Sequence, residues 1–266
     1  MNARRPAAAA AALFCFLFLY APSAAVAVFS FNQARYGLAW KGFTWDWYAR
    51  LFRNQAVLEA AWNSLLTAGV STALATLLGT ALALGLDRFP WPPRLKEAMD
   101  AVVHLPVVTP DIILAAALVL TFSLFQALTG LMEMGRTTLI VGHVTFQISF
   151  VALVVRGRLA ALGRELDEAA RDLYASGLHL FLKVTLPLIW PGILAGAMLA
   201  FTLSLDDFII SFFTHGPDSV TLPIYIYSSI RRGLSPEIHA LSTLALLVTV
   251  LLVFAAERLL PREERK

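Results

Sequence analysis

The amino-acid sequence predicts an all-α membrane protein with six transmembrane helices and both termini in the cytoplasm. Three observations lead there. Hydrophobic residues make up 58% of the 266 and charged residues only 15%, where a soluble domain carries about 25% charged. Six apolar runs approach or exceed the ~20 residues that a helix needs to cross the hydrocarbon core. Lys and Arg are also shared unevenly among the connecting loops, which fixes an orientation.

The first run, Ala7–Val28, follows Arg4 and Arg5. A cleavable secretory signal would share those features, but the apolar stretch exceeds the usual h-region of about 7–15 residues, so a retained helix is expected. The segment after it, Phe29–Trp62, carries Trp40, Trp45, Trp47 and Tyr48. Such amphipathic rings favour the membrane–water interface, and part of this segment is expected to lie along the outer surface. In the second run, Asn63–Leu86, Ser64, Ala68, Gly69, Ser71, Ala75, Gly79 and Ala83 keep one helix narrow. Small residues let helix backbones approach closely in lipid, so this helix should pack against others. The third run, Val102–Phe125, is interrupted by His104, Pro106, Pro110 and Asp111. Thr109-Pro110-Asp111 reads as N-cap, N1 proline and first-turn acid, a local helix start near the cytoplasmic surface. The fourth, fifth and sixth runs cover Thr137–Val155, Val184–Phe213 and Ile238–Ala256.

Orientation follows from the positive residues. With the N-terminus inside, fourteen of the 21 Lys and Arg fall on cytoplasmic segments and seven on outer ones. That choice puts residues 156–183 in the cytoplasm. The excess charge of +3 is too small to suggest a nucleic-acid partner. The single Cys15 lies in an apolar run, and a lone cysteine forms no disulfide within the chain.

The cytoplasmic segment holds a polar stretch between two spans. In RELDEAARDL (164–173), Leu166, Ala169, Ala170 and Leu173 form one apolar helical face, and Arg164–Glu168 and Asp167–Arg171 stand four apart. Periodicity alone favours an amphipathic helix resting on its own bundle. The wording of Glu168–Pro187, EAARDLYASGLHLFLKVTLP, resembles the EAA loop (E-A-A, three residues, G, nine residues, I, x, L-P) of ABC importer permeases. With LSLDDFIISFFTHGP (203–217), TLPIYIYSSIRRGLSPEIHALSTL (221–244) and LPVVTPDIILA (105–115), the chain resembles the spermidine/putrescine permeases of the type I importer fold. The likeness covers about Asn63 to Phe254.

The resemblance implies a chain that forms half of a transport pathway and pairs with a second permease. Two ATP-binding subunits would sit below and an extracytoplasmic solute-binding protein above, all at a bacterial inner membrane. It further implies a transport domain over residues 57–256, preceded by a first helix and interfacial segment (1–56) and followed by a tail (257–266). Glu168, Ala169 and Ala170, with Asp172, would enter the groove of the ATPase, and Leu186 and Pro187 would mark the return to the membrane with Val184 in the Ile position. Tyr174 stands where the family has glycine, a position suited to positive φ. Either the turn moves to Gly177, or the Tyr174 ring fills a feature of the partner. The chain lacks a G-x-x-x-x-G-K-[ST] cradle, so ATP would be bound by the partner and no cofactor by this chain. No catalytic set is apparent, and the five histidines have no ligand-spaced neighbours.

Asp206 and Asp207 remain. Nineteen residues beyond Pro187, at about 1.5 Å each, put Asp206 roughly 28 Å along the fifth span. Ionisable groups in a bilayer point to function by default. Either water solvates both at the outer helix end, or one attracts a cationic substrate; on one helix the two would point about 100° apart. Rivals to the polyamine reading are a permease for another small solute, such as a phosphonate, an opine or another amine, and a secondary transporter, which would commonly show internal repeats.

Overall fold

The computed structural model describes residues 4–34, 39–163, 165–172, 174–233 and 236–259. Twelve α-helices are described. They are α1 (Arg4–Phe29), α2 (Asp46–Leu51), α3 (Gln55–Arg88), α4 (Pro93–Val108), α5 (Asp111–Thr129), α6 (Arg136–Leu162), α7 (Glu165–Asp172), α8 (Gly177–Leu180), α9 (Leu186–Asp206), α10 (Ile209–Thr214), α11 (Leu222–Arg232) and α12 (Pro236–Leu259). A π-helical turn, Phe181–Thr185, joins α8 to α9. Among the described residues, five helical runs are long and apolar enough to span a membrane: Ala9–Phe29, Gln55–Arg88, Asp111–Thr129, Arg136–Leu162 and Gly177–Asp206, and α12 adds a shorter apolar stretch, Pro236–Leu251.

The chain packs as two units, one of residues 1–59 with 225–252 and one of residues 60–224 with 253–266. In the first, α1 presents Phe14, Phe18 and Leu19 outward along an exposed apolar surface, as a lipid-facing helix does. The segment after it is organised by Asn32. Its side chain donates to the Ala39 carbonyl and accepts the Ala34 and Lys41 amides, while its own carbonyl takes the Trp47 indole N–H at 2.8 Å. An isolated bridge pairs Asn32 with Phe43, and the rings of Phe31, Phe43, Trp45 and Tyr48 pack on one another. The Asn54 amide donates to Glu237 at 2.9 Å, tying the α2–α3 turn to the start of α12.

In the second unit α6 is the central helix. Its Val151, Ala152, Val155 and Leu159 are buried with Ala83 and Leu86 of α3, Val103 of α4, and Ile189, Ile193 and Ala200 of α9. The small residues of α3 are at the contact, as expected: Ala68, Ser71, Ala75 and Ala83 are fully buried. Gly69 is the exception, exposed and with nothing within 4 Å of where a methyl would stand. A methyl on Gly79 would lie 2.8 Å from the Ile148 carbonyl oxygen of α6. A second cluster joins Ala115, Leu118 and Phe122 of α5 to Phe146 of α6 and Ile210 of α10. At the far end of α3, Asn63 donates to the carbonyls of Asp218 and Val220 and accepts from Arg136, and the Ser64 hydroxyl accepts the Leu222 amide.

Two spans differ from the sequence reading. The third run is two helices, α4 and α5, parted at Thr109-Pro110, where Thr109 and Pro110 are both extended. A proline disfavours helical φ/ψ in the residue before it, and that ends α4. Pro110 itself occupies the N-cap position and no side chain caps the start, so Thr109 does not act as the expected N-cap; Asp111 is the exposed first residue of α5. The fifth run is likewise broken: α9 ends at Asp206, and Asp207 is extended at φ −62°, ψ 124° before α10 begins.

Candidate coupling loop and buried polar centre

Helix α7 carries Glu165, Asp167 and Glu168 in its first turn, where acids complement the helix dipole. Glu168, Ala169 and Asp172 are exposed and Ala170 is half-buried. The predicted Arg164–Glu168 and Asp167–Arg171 pairs involve Arg164 and the Arg171 side chain, which lie outside the described residues. Asp167 meets Arg88 at the end of α3 in an ion pair.

The turn after α7 stays where the family's glycine would place it. Tyr174 has φ +59°, and the Ala175 amide donates to the Ala170 carbonyl at 3.1 Å. That six-to-one bond around a left-handed residue is the Schellman closure of a helix, which normally uses glycine. The turn has therefore not moved to Gly177, which is the exposed first residue of α8 and has no positive φ. Tyr174 meets the backbone requirement itself, and its side chain is 97% exposed. Ser176 caps α8 by accepting the His179 amide.

Leu186 and Pro187 lie in a continuing helical run rather than at a break. Pro187 lacks an N–H and its ring crowds the carbonyl one turn back. The π-turn before it widens the ladder, with the Leu186 amide reaching the Phe181 carbonyl five residues earlier, the kind of single-turn bulge that absorbs such an insertion. Leu186 packs at the edge of the α6 core; Val184 is half-buried and Pro187 exposed.

The two acids of the fifth run part company. Asp206 is exposed. The Asp207 carboxylate, with its side chain 11% exposed, accepts the Ile210 amide at 3.3 Å and the Ser211 amide at 2.7 Å. It does the work of a capping side chain at the start of α10. The same carboxylate lies 3.4 Å from His143 Nε2. His143, two turns into α6, is fully buried; its Nδ1 meets the Ser204 hydroxyl of α9 at 2.7 Å and its Nε2 the Ser211 hydroxyl of α10 at 2.9 Å. Ser204 also lies 3.5 Å from Ser71 of α3. A buried imidazole must have both nitrogens matched, and here the partners come from both sides of the α9–α10 break. Sequence reasoning missed this centre, because its members are separated by 61 and 68 residues. The available signal was an ionisable side chain midway along an apolar run. Among the described residues, no three His, Cys, Asp or Glu side chains gather as a metal-holding group.

Residues 75–266 match the family model described as the binding-protein-dependent transport system inner membrane component. The chain belongs to this family. The permease is 39% identical over 247 residues to the putrescine transport system permease protein PotI of Escherichia coli K12, a match covering 92% of this chain and 88% of that one. It is 37% identical over 245 residues to the spermidine/putrescine permease PotC of the same organism, covering 92% and 90%. Among solved structures, the permease resembles a chain of a bacterial ABC transporter importing the acidic polysaccharide alginate, with TM-score 0.77, 18% identity and coverage of 97% and 95%. It also resembles one from the inward-facing methionine transporter MetNI, with TM-score 0.64, 21% identity and coverage of 82% and 98%. These likenesses establish the importer-permease fold. The permease is a multi-pass membrane protein and a transport component of a binding-protein-dependent importer, not an enzyme.

Proposed function

We propose that the permease forms half of the pathway of a polyamine importer, with putrescine or spermidine as substrate. The observation that carries this is the 39% and 37% identity to putrescine and spermidine/putrescine permeases over 92% of the chain. Its place is the bacterial inner membrane, beside a second permease, above a pair of ATP-binding subunits and below an extracytoplasmic solute-binding protein. Glu168, Ala169, Ala170 and Asp172, with the Tyr174 turn, form the handle that the ATPase grips. Three of the four helical positions are exposed, and small alanines let another protein's surface approach. ATP-driven closure of the partner moves this handle and switches the pathway between outward- and inward-facing states.

Proteoliposomes holding the permease with its partner subunits test the reading. Expected is ATP-dependent uptake of labelled putrescine, competed by spermidine and not by a phosphonate or an alginate oligosaccharide, with Glu168→Lys retaining ATP hydrolysis but losing uptake. Uptake of no amine would defeat the substrate assignment, and undiminished uptake by Glu168→Lys would defeat the coupling assignment.

A further inference from the structure

Helix α7 is held mainly by its own loop: it packs on α8 and on the π-turn Phe181–Thr185. Among the described residues, an ion pair reaches out of that loop. Asp167 pairs with Nη1 of Arg88, the last residue of α3, and the Arg88 Nε also lies 3.5 Å from Asp87. The two partners' side chains are 21% and 16% exposed, so the pair is partly withdrawn from water, where a charge pair is screened less than at the surface. The sequence divides two adjacent acids between two tasks. Neighbouring helical residues point about 100° apart, and the exposed Glu168 faces solvent while Asp167 turns to α3.

Helix α3 is suited to carry a displacement. It is a single 34-residue helix, about 51 Å at 1.5 Å per residue. Near its Arg88 end, Ala83 and Leu86 are fully buried in the α6 core, and Gly79 lies against the α6 backbone. Further along, Ser71 meets Ser204, a hydrogen-bond partner of His143. A pull on Asp167 thus acts on a helix packed along the centre of the transport unit.

We propose that the Arg88–Asp167 ion pair passes movement of α7 to α3, so that coupling runs through this contact as well as along the α8–α9 connection. The proposal rests on the reading of α7 as the handle for the ATPase. Such a link acts through other residues, and its signature is uptake per ATP hydrolysed rather than assembly.

The test uses the permease assembled with its partner subunits in proteoliposomes. It compares wild type, Asp167→Asn, Arg88→Gln, and the swapped pair Arg88→Glu with Asp167→Arg. In each, the amount of ATPase subunit co-purified, the ATP hydrolysis rate and labelled putrescine uptake are measured. Both single variants should keep the bound ATPase and its hydrolysis while uptake per ATP falls about fivefold or more, a common size for coupling between sites. The swapped pair should recover most of that loss. Asp167→Asn is nearly isosteric and sits on a short loop helix, so it decides the matter if Arg88→Gln does not accumulate. Wild-type uptake per ATP in Asp167→Asn, or a swapped pair no better than the single variants, overturns the link while leaving the handle intact. ATPase binding that Glu168→Lys and Asp172→Lys together leave unaltered overturns the handle, and the link with it.

Discussion

Tyr174 holds a left-handed backbone at φ +59° in the one place where its ring gains no packing from its own chain, at 97% exposure. An L-residue with a Cβ pays roughly 1–2 kcal/mol for that conformation. Tyr174→Gly should therefore tighten the Schellman turn by about 1 kcal/mol. Amide exchange reads this directly: the Ala175 N–H, bonded to the Ala170 carbonyl, should exchange about fivefold more slowly if local opening governs it. Tyr174→Ala keeps the strain and should show no slowing. Equal exchange in the glycine variant would mean that the turn is not strained. The substitution was visible in the sequence because the family pattern assigns glycine to that position. Which way the chain resolved it was not, since a tyrosine's φ is set by the helix closing behind it. His143 was harder still. A single imidazole midway along an apolar run has no local pattern, and its partners Ser204 and Ser211 are ordinary residues until folding brings them together.

At the scale of elements, what was legible was length and narrowness. The six apolar runs all correspond to helices, and the small residues of the second run mark the face that α3 buries. Breaks inside an apolar run were less legible. The joint at Thr109-Pro110 follows from backbone sterics local to proline, so its position could be read closely even though its capping could not. The joint at Asp207 depends on a distant partner, His143 of α6, and hydropathy runs straight through it. The packing of α3 on α6 gives a sharp contrast between two glycines. A methyl at Gly79 would stand 2.8 Å from the Ile148 carbonyl oxygen and 2.8 Å from Val151 Cβ, whereas nothing lies within 4 Å at Gly69. Gly79→Ala should cost about 1–3 kcal/mol through overpacking. Gly69→Ala should be neutral or stabilise by up to about 1 kcal/mol through helix propensity. Thermal unfolding in one detergent compares them, and equal melting temperatures would show that the close approach is absent.

For the whole molecule, the break between α9 and α10 separates two neighbouring carboxylates into two jobs. Asp207 is turned inward, taking the Ile210 and Ser211 amides and facing His143; it joins three helices of the transport unit. Asp206, one residue earlier at the end of α9, is exposed, and on the proposed polyamine function we propose it, rather than Asp207, as the acid that attracts a cation. Removing the Asp207 carboxylate leaves the Ile210 and Ser211 amides without their side-chain acceptor, a cost of about 1–3 kcal/mol for a buried unmet group. Asp207→Ala should accordingly lower the melting temperature of the purified permease and its yield in the membrane. Asp207→Asn keeps one acceptor oxygen and an Asn is as good a cap as Asp, so it should recover most of the loss. Asp206→Asn should melt with the wild type and raise the KM for putrescine, because a single exposed charge contributes to attracting a cation more than to holding the fold. High salt should narrow the KM difference as the field is screened. Uptake by Asp206→Asn with wild-type KM would remove this acid from the substrate path. An Asp207→Ala protein that melts normally yet transports nothing would reverse the assignment of the two.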